Sequence, residues 1–335
     1  MTTHLPTFDY RRPTSLGEAV RLISSGGSST VVMAGGTDLV PKMKRRQLTP
    51  STVISLSRVT EMQGIRYQDG ATTIGSGTLL REVVASRLVP EPLRLAAATV
   101  ASPHVRNTAT IGGNLCLDTR CNYIDMPEGW RIANGHCLKD GGDTCWVAPR
   151  QERCWAVHAS DVSPIAIAMH TNVRLVSETG ERIIPLEDLY ANDGINNLTK
   201  RRDELLVELK IPSIEMRASY YKLRRRGAID FALVGAAASF ALEEAGSAED
   251  VRIVLTGIAS APVRVFEAEQ FLVAEGLSPG SIVEAAGIAG SCVRTQDNTD
   301  LGSRYRKWMI PVAVQRVLEG LAMNTNERSA DRGTD

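Results

Sequence analysis

Apolar residues recur at helical spacing between Thr14 and Ser24 (Leu16, Ala19, Val20, Leu22, Ile23), and SSGGSST then breaks the pattern. A strand is predicted over Val31 to Ala34, turning at Gly35-Gly36 into TDLVPKMKRR, where Pro41 forbids a long regular helix. STVISLSRV supplies a second strand, so an α/β unit is expected over residues 1–58. GIRYQDGATTIGSGTLLREVVAS reads as two short strands around Asp69-Gly70 followed by a helix that Thr78 can cap. LRLAAATVAS is a helical pattern closed by Pro103, and NTATIGGNLCL predicts a polar turn, a short strand and a second glycine pair.

From Arg120 to His158 the periodicity disappears: glycine, proline, charge, tryptophan and cysteine alternate without a face that could form a core. A loop of this length needs internal support. Regular patterning then returns, with DVSPIAIAMH helical or extended and a hairpin around Thr179-Gly180. The strand Leu205 to Ile211 is stopped by Pro212, where a boundary is expected. SYYKLRRRGAIDFALVGAAASFALEE gives a strand, a basic turn and an alanine-rich segment, VRIVLTGIASAPVRV an extended run, and AEQFLVAE, GSIVEAAGIAG and YRKWMIPVAVQRVLEGLA helices. The units expected are therefore 1–58, 59–212 with an insert at 117–158, 213–325, and a polar, frayed tail at 326–335.

Composition narrows the function classes. Lys and Arg total 38 against 38 Asp and Glu, so the zero net charge provides no overall footprint for nucleic acid. No run approaches the ~18 apolar residues needed to cross a bilayer, and MTTHLPTFDYRRP has no signal-peptide core, so a cytoplasmic protein without membrane contact is expected. Five of six cysteines fall between Cys116 and Cys154. Of these, Cys121, Cys137, Cys145 and Cys154 offer four thiolates within a segment too polar to fold alone. A zinc ion or an iron–sulfur cluster would supply the missing core, and the spacing does not choose between them. Scattered thiols and disulfides are the competing readings. Cys116, directly after GGNL, reads as a buried free thiol, and Cys292 as a core or surface thiol. His136 and His158 flank the thiols and are alternative ligands. Trp130, Trp146 and Trp155 are candidates to screen such a centre from water.

AGGTDL and TIGGNL each place adjacent glycines where backbone N–H groups can approach an anion. Neither matches the Rossmann fingerprint or the P-loop. Thr37, Asp38, Thr110 and Asn114 can either hydrogen-bond a ligand or cap these same turns. No paired carboxylates or Ser-His-Asp arrangement suggests a base or nucleophile.

The segments VVMAGGTDLVPKMK, SPHVRNTATIGGNLC and ASDVSPIAIAMHTNVRL, with YYKLRRRGAIDFALVGAAASF and SRYRKWMIPVAVQRVL, resemble the FAD-binding subunit of the molybdenum hydroxylases. This is the group of xanthine dehydrogenase and carbon monoxide dehydrogenase, and the resemblance covers nearly the whole chain. The insert DTRCNYIDMPEGWRIANGHCLKDGGDTCWVAPRQERCWAVH resembles the additional [4Fe-4S] loop of 4-hydroxybenzoyl-CoA reductase beta subunits. The resemblance implies an α+β fold: two FAD-binding subdomains of the vanillyl-alcohol-oxidase/p-cresol-methylhydroxylase type, then a C-terminal α/β domain of the CO dehydrogenase flavoprotein type. It implies that Ala34, Gly35, Gly36, Thr37, Asp38 and Leu39 surround the FAD phosphates, with Thr110, Gly112, Gly113 and Asn114 as the second approach. Asp161 and Lys222 are implied to lie near the flavin ring, and Cys121, Cys137, Cys145 and Cys154 to hold one cubane cluster that excludes Cys116.

The function so implied is electron relay. Electrons from ferredoxin pass through the [4Fe-4S] cluster and FAD to two [2Fe-2S] clusters in a small subunit and the molybdenum cofactor of a large subunit, where an aromatic CoA thioester is reductively dehydroxylated. A dimer of heterotrimers is the implied assembly. Two alternatives remain: a related flavin subunit passing electrons outward to NAD or another acceptor, and a zinc-stabilised interaction protein whose glycine turns are architectural.

Overall fold

The computed structural model describes residues 4–242 and 248–331. The N-terminal chain runs β1 (Asp9–Arg11), α1 (Leu16–Ser25), β2 (Thr30–Met33), α2 (Leu39–Lys44) and β3 (Thr52–Ser55). These strands form a parallel sheet in the order β1-β3-β2. Helix α1 starts where the Ser15 hydroxyl accepts the Glu18 N–H, and its face Ala19, Val20 and Ile23 is buried with Ile54 and Leu56. The three-residue β1 is too short to show a periodicity of its own.

The next stretch contains β4 (Ile65–Gln68), β5 (Ala71–Gly75), α3 (Leu80–Ala85), α4 (Glu91–Ala98), α5 (Pro103–Arg106), α6 (Ile111–Leu115), α7 (Glu128–Ala133), α8 (Val162–Ala168), β6 (Asn172–Ser177), β7 (Gly180–Pro185) and β8 (Leu205–Pro212). The strands make an antiparallel sheet, β4-β5-β8-β6-β7. All seven residues of α8 are buried, as expected of a helix apolar on every face. Three local expectations change. Thr78 does not cap α3: its hydroxyl bonds the Gly64 N–H at 3.0 Å and the Gly64 carbonyl at 3.1 Å instead. The strand expected before the second glycine pair is reduced to a single bridge, Leu79 to Thr110, after which GGN lies inside α6. The insert, patternless in sequence, holds the short helix α7.

The remaining elements are β9 (Met216–Leu223), β10 (Val234–Leu242), β11 (Ala248–Thr256), β12 (Val263–Arg264), α9 (Phe266–Glu275), α10 (Pro279–Cys292) and α11 (Ser303–Asp331). The alanine-rich segment is the strand β10, in an antiparallel sheet ordered β12-β11-β10-β9. One face of that sheet packs on the three helices through Val234, Ala236, Ile253, Ala285, Ile310 and Val314. The other meets α8, with Ala237 and Val254 in the core of the preceding sheet. The tail expected to fray from residue 326 continues α11 to Asp331, and residues 332–335 lie outside the described residues. No helix among the described residues is long and apolar enough to cross a membrane.

Candidate functional site

The two glycine turns meet. Gly36 has φ +71°, the left-handed region that glycine adopts without penalty. A Cβ on Gly35 would overlap the Thr108 carbonyl oxygen and lie 2.9 Å from Ala109 Cα, so only glycine lets this turn touch the strand-to-helix approach of the other. A Cβ on Gly112 would lie 2.5 Å from Ser76 Cβ, closing the second turn onto β5's end. Gly113 differs: a Cβ there would meet only Thr110 Oγ1 at 3.0 Å and Ala34 Cβ at 3.9 Å, in the exposed gap between the turns.

Among the described residues, the N–H groups of Ala34, Gly35, Gly36, Thr37 and Asp38 donate to no protein acceptor, and Thr37 is exposed. A row of free N–H groups beside a side-chain-free gap fits the phosphates of FAD. Thr110 takes its architectural role, accepting the Gly113 N–H at 3.1 Å as the cap of α6. Asn114 Oδ1 accepts the Ser160 hydroxyl at 2.7 Å, tying the second turn to the segment before α8. Leu39 begins α2, and Asp38 pairs with Arg120 and lies 3.7 Å from Lys42.

Asp161 and Lys222, 61 residues apart, come together as a buried ion pair with Nζ 2.7 Å from Oδ2. Lys222 also donates to the Thr99 carbonyl at 3.0 Å, and the Tyr220 hydroxyl donates to Asp161 Oδ1 at 2.8 Å. Burial pushes the Asp161 carboxyl above its ordinary range, opposed by the Lys222 charge, the two hydrogen bonds and Arg224. Asp161 stands at the N-cap of α8 without capping it; Ser160 accepts the Ser163 N–H instead. The pair joins α8 to β9 and therefore one core to the other.

The four thiols also converge. Cys121, Cys137, Cys145 and Cys154 are buried and share, with Tyr123, Ile124, Leu138 and Trp146, the walls of a small cavity of about 10 Å3. Burial pushes the Cys121 thiol up to about 11 and raises Cys137. The Cys154 thiol donates to Cys145, holding Cys145 down to about 5 and raising Cys154. Cys121, Ile124, Cys154 and Ala156 form the insert's own small core, so sulfur substitutes for the apolar side chains that the segment lacks. Trp146 packs edge-on against Tyr123 and Trp130 at 5.4 and 5.9 Å between ring centres. Trp155 stacks under Arg153 instead of lining the thiols.

Neither histidine reaches these thiols. His136 bonds Asp140 at 2.6 Å, and His158 is buried against Ser163 and Tyr190, where burial lowers it to about 3. Cys116 follows α6 and packs against the core that holds α6 and α8, and Cys292 is exposed. Among the described residues, no group of three or more Cys, His, Asp or Glu side chains is placed to hold a metal ion.

Sequence reading missed the charged bridge between the two regions. Asp118 accepts from Lys139 Nζ at 2.8 Å and also pairs with Lys42 of α2, which follows the first glycine turn. Lys139 borders the thiol space and further donates to Thr119 Oγ1 at 2.9 Å. Gln47 donates to the Ile124 carbonyl at 2.6 Å, and Arg131 to the carbonyls of Arg45 and Arg46 at 3.1 Å each. Gly194 presses on the Cys154 sulfur, where a Cβ would lie 2.6 Å away. Long-range pairs of this kind leave no spacing signal in the sequence; in the structure the buried cations Lys42 and Arg131, unusual for their types, mark the place.

Residues 6–214 match the model of the FAD binding domain in molybdopterin dehydrogenase, and residues 218–321 that of the CO dehydrogenase flavoprotein C-terminal domain. The 6-hydroxypseudooxynicotine dehydrogenase complex subunit alpha of Paenarthrobacter nicotinovorans is 28% identical, over 93% of this chain and 94% of its own. The carbon monoxide dehydrogenase medium chain of Hydrogenophaga pseudoflava is 26% identical, over 93% of this chain and 96% of its own. A solved structure of carbon monoxide dehydrogenase from Hydrogenophaga pseudoflava superposes with a TM-score of 0.78 at 26% identity, covering 96% of this chain and 99% of that one.

Proposed function

Because this chain belongs to the FAD-binding subunits of the molybdenum hydroxylases, we propose that it relays electrons between an iron–sulfur centre held by its own insert and FAD, as in 4-hydroxybenzoyl-CoA reductase. Membership overturns the reading of a zinc-stabilised interaction protein with merely architectural glycines. The observation that carries the proposal is the convergence of four buried thiols from a polar insert on one small cavity. A tetrahedral zinc ion draws its sulfurs to about 3.8 Å from one another. A [4Fe-4S] core likewise takes four thiolates, one at each corner. The residues thus fit a [4Fe-4S] cluster, with Cys121, Cys137, Cys145 and Cys154 as its ligands, and such a cluster carries one electron at a time.

For FAD, the free N–H groups from Ala34 to Asp38 would hold the phosphates, with Gly113 and Asn114 as the second approach. Thr37 and Leu39 flank the same turn, Thr110 fixes the second, and Gly112 keeps it against Ser76. Asp161 and Lys222, held together as a buried pair, would lie near the flavin ring. Bound FAD exchanges two electrons with one partner and single electrons with iron–sulfur centres. No residue of this chain acts as base or nucleophile: substrate chemistry belongs to a molybdenum-containing large subunit, reached through two [2Fe-2S] clusters of a small subunit, in a cytoplasmic dimer of heterotrimers. The structural units are 1–58, 59–212 with the insert, and 213–325.

The direction of flow separates this reading from a second one. The relatives are named as dehydrogenases, which favours outward flow to NAD or another acceptor. Turnover of the purified complex decides. Reduced ferredoxin driving dehydroxylation of an aryl-CoA thioester supports the inward route, whereas efficient NAD reduction by a reduced purine or aldehyde overturns it.

A further inference from the structure

The insert leaves and rejoins the fold through a short neck. Arg120 and Val157 exchange both backbone hydrogen bonds, at 2.8 and 2.7 Å, one residue before Cys121 and three after Cys154. On the returning side the His158 N–H bonds the Ala259 carbonyl at 2.8 Å, and the Ser160 hydroxyl reaches Asn114 of the second glycine turn. On the departing side the Arg120 guanidinium reaches the first turn, where it pairs with Asp38. The same group lies over the Phe231 ring, 4.1 Å from its centre. A carboxylate and an aromatic face thus fix a side chain that is only 15% exposed.

Asp38 is the last of the five residues whose free N–H groups make the first turn attractive to an anion, and its carboxylate opposes that attraction. Lys42, 3.7 Å from Asp38, is a divided partner, because it pairs more closely with Asp118. Asp118 is shared in turn with Lys139. Arg120 pairs with Asp38 alone among the described residues. The group therefore holds three cations, Arg120, Lys42 and Lys139, against two carboxylates, Asp38 and Asp118. Without Arg120 that excess is gone, and Asp38 keeps only a share of one lysine.

We propose that Arg120 is a positioning residue for FAD: it holds and neutralises Asp38, so that the first glycine turn accepts a diphosphate despite carrying a carboxylate. The inference rests on the reading of the two turns as the FAD phosphate site and is independent of what the four thiols hold. It gives the neck of the insert a part in flavin binding that is exerted through Asp38.

The test is titration of the full-length chain, stripped of flavin, with FAD, followed by the quenching of flavin fluorescence, with thermal unfolding of each variant as the control for folding. R120Q weakens FAD about tenfold at low ionic strength, and the gap to the unaltered chain narrows in high salt, which screens the repulsion left behind. R120K keeps most of the affinity. D38N tightens FAD, since the turn loses its carboxylate and keeps both cations, and D38N/R120Q binds better than R120Q. A residue that only holds the shape of the turn gives the opposite pattern: D38N, which breaks the same pair, weakens FAD as R120Q does. That pattern overturns the proposal, and so does a loss in R120Q that neither D38N nor salt relieves. Should R120Q fail to fold, the direction of the change in D38N decides. The site and the residue are separable. If Gly113→Val abolishes FAD retention while R120Q and D38N bind FAD normally, the phosphate site stands and the role of Arg120 falls; normal binding by all three removes both.

Discussion

Replacing Lys222 by Met removes one member of the Asp161 pair, whose side chains are only 2% and 4% exposed, and leaves the carboxylate among Tyr220, Thr99 and apolar neighbours. Breaking a buried pair on one side typically costs about 3–5 kcal/mol. The carboxyl can escape that cost by taking a proton, so the penalty has a ceiling that depends on pH. At 1.36 kcal/mol per pH unit above an unfolded value near 3.9, the ceiling is about 5 kcal/mol at pH 7.5 and about 1.5 kcal/mol at pH 5. Arg224, which also lowers Asp161, keeps the loss below the ceiling. The sign follows from the raised folded-state value: stabilisation by the protonated form is complete below the unfolded pKa and disappears as pH rises through the folded one. Urea unfolding of the purified chain should therefore show K222M losing about 3 kcal/mol or more at pH 7.5 and clearly less at pH 5. D161N/K222M should recover much of the loss, since no charge is left stranded. An equal loss at both pH values, or a double variant no better than K222M, would refute the reasoning.

Gly113→Val places a branched side chain in the gap between the turns without a strained backbone, and should abolish FAD retention on gel filtration while leaving the circular dichroism spectrum unchanged. Normal flavin stoichiometry would exclude that gap as the phosphate site. Cys145→Ser should lower iron content and electron flow through the insert while FAD remains bound, checked by iron assay and flavin absorbance on the same sample. His158, lowered to about 3 by burial, stabilises the fold above its unfolded pKa near 6.5, and that stability is lost as pH falls toward 3. Over that window the loss amounts to about 5 kcal/mol at most; a His158→Gln variant should show a correspondingly shallower acid dependence in urea unfolding.

Local patterns carried much of this architecture. The α1 stripe, the β2 run, the hairpin at Thr179-Gly180 and the C-terminal helices were legible because each follows its own periodicity. Helix α7 escaped notice because its six residues present Trp130 and Ile132 to solvent, giving no apolar face to detect. The role of Thr78 was misread because an N-cap and a cross-loop hydrogen bond demand the same residue type, and tertiary packing chose the second. The close contact of the glycine turns needed the fold itself, since Gly35 and Thr108 are brought together only by folding. Likewise, Lys42, Asp118 and Lys139 are ordinary charges in sequence and become a bridge only when the insert closes onto α2.

The iron and acid-labile sulfide content of the anaerobically prepared full-length chain, measured against its FAD, bears most directly on the redox role of the insert. About four iron and four sulfide per flavin, lost together when Cys121, Cys137, Cys145 or Cys154 is replaced, is the result that the thiol-walled space predicts. Stoichiometric zinc, or a flavin-replete chain without metal at these four cysteines, would contradict it.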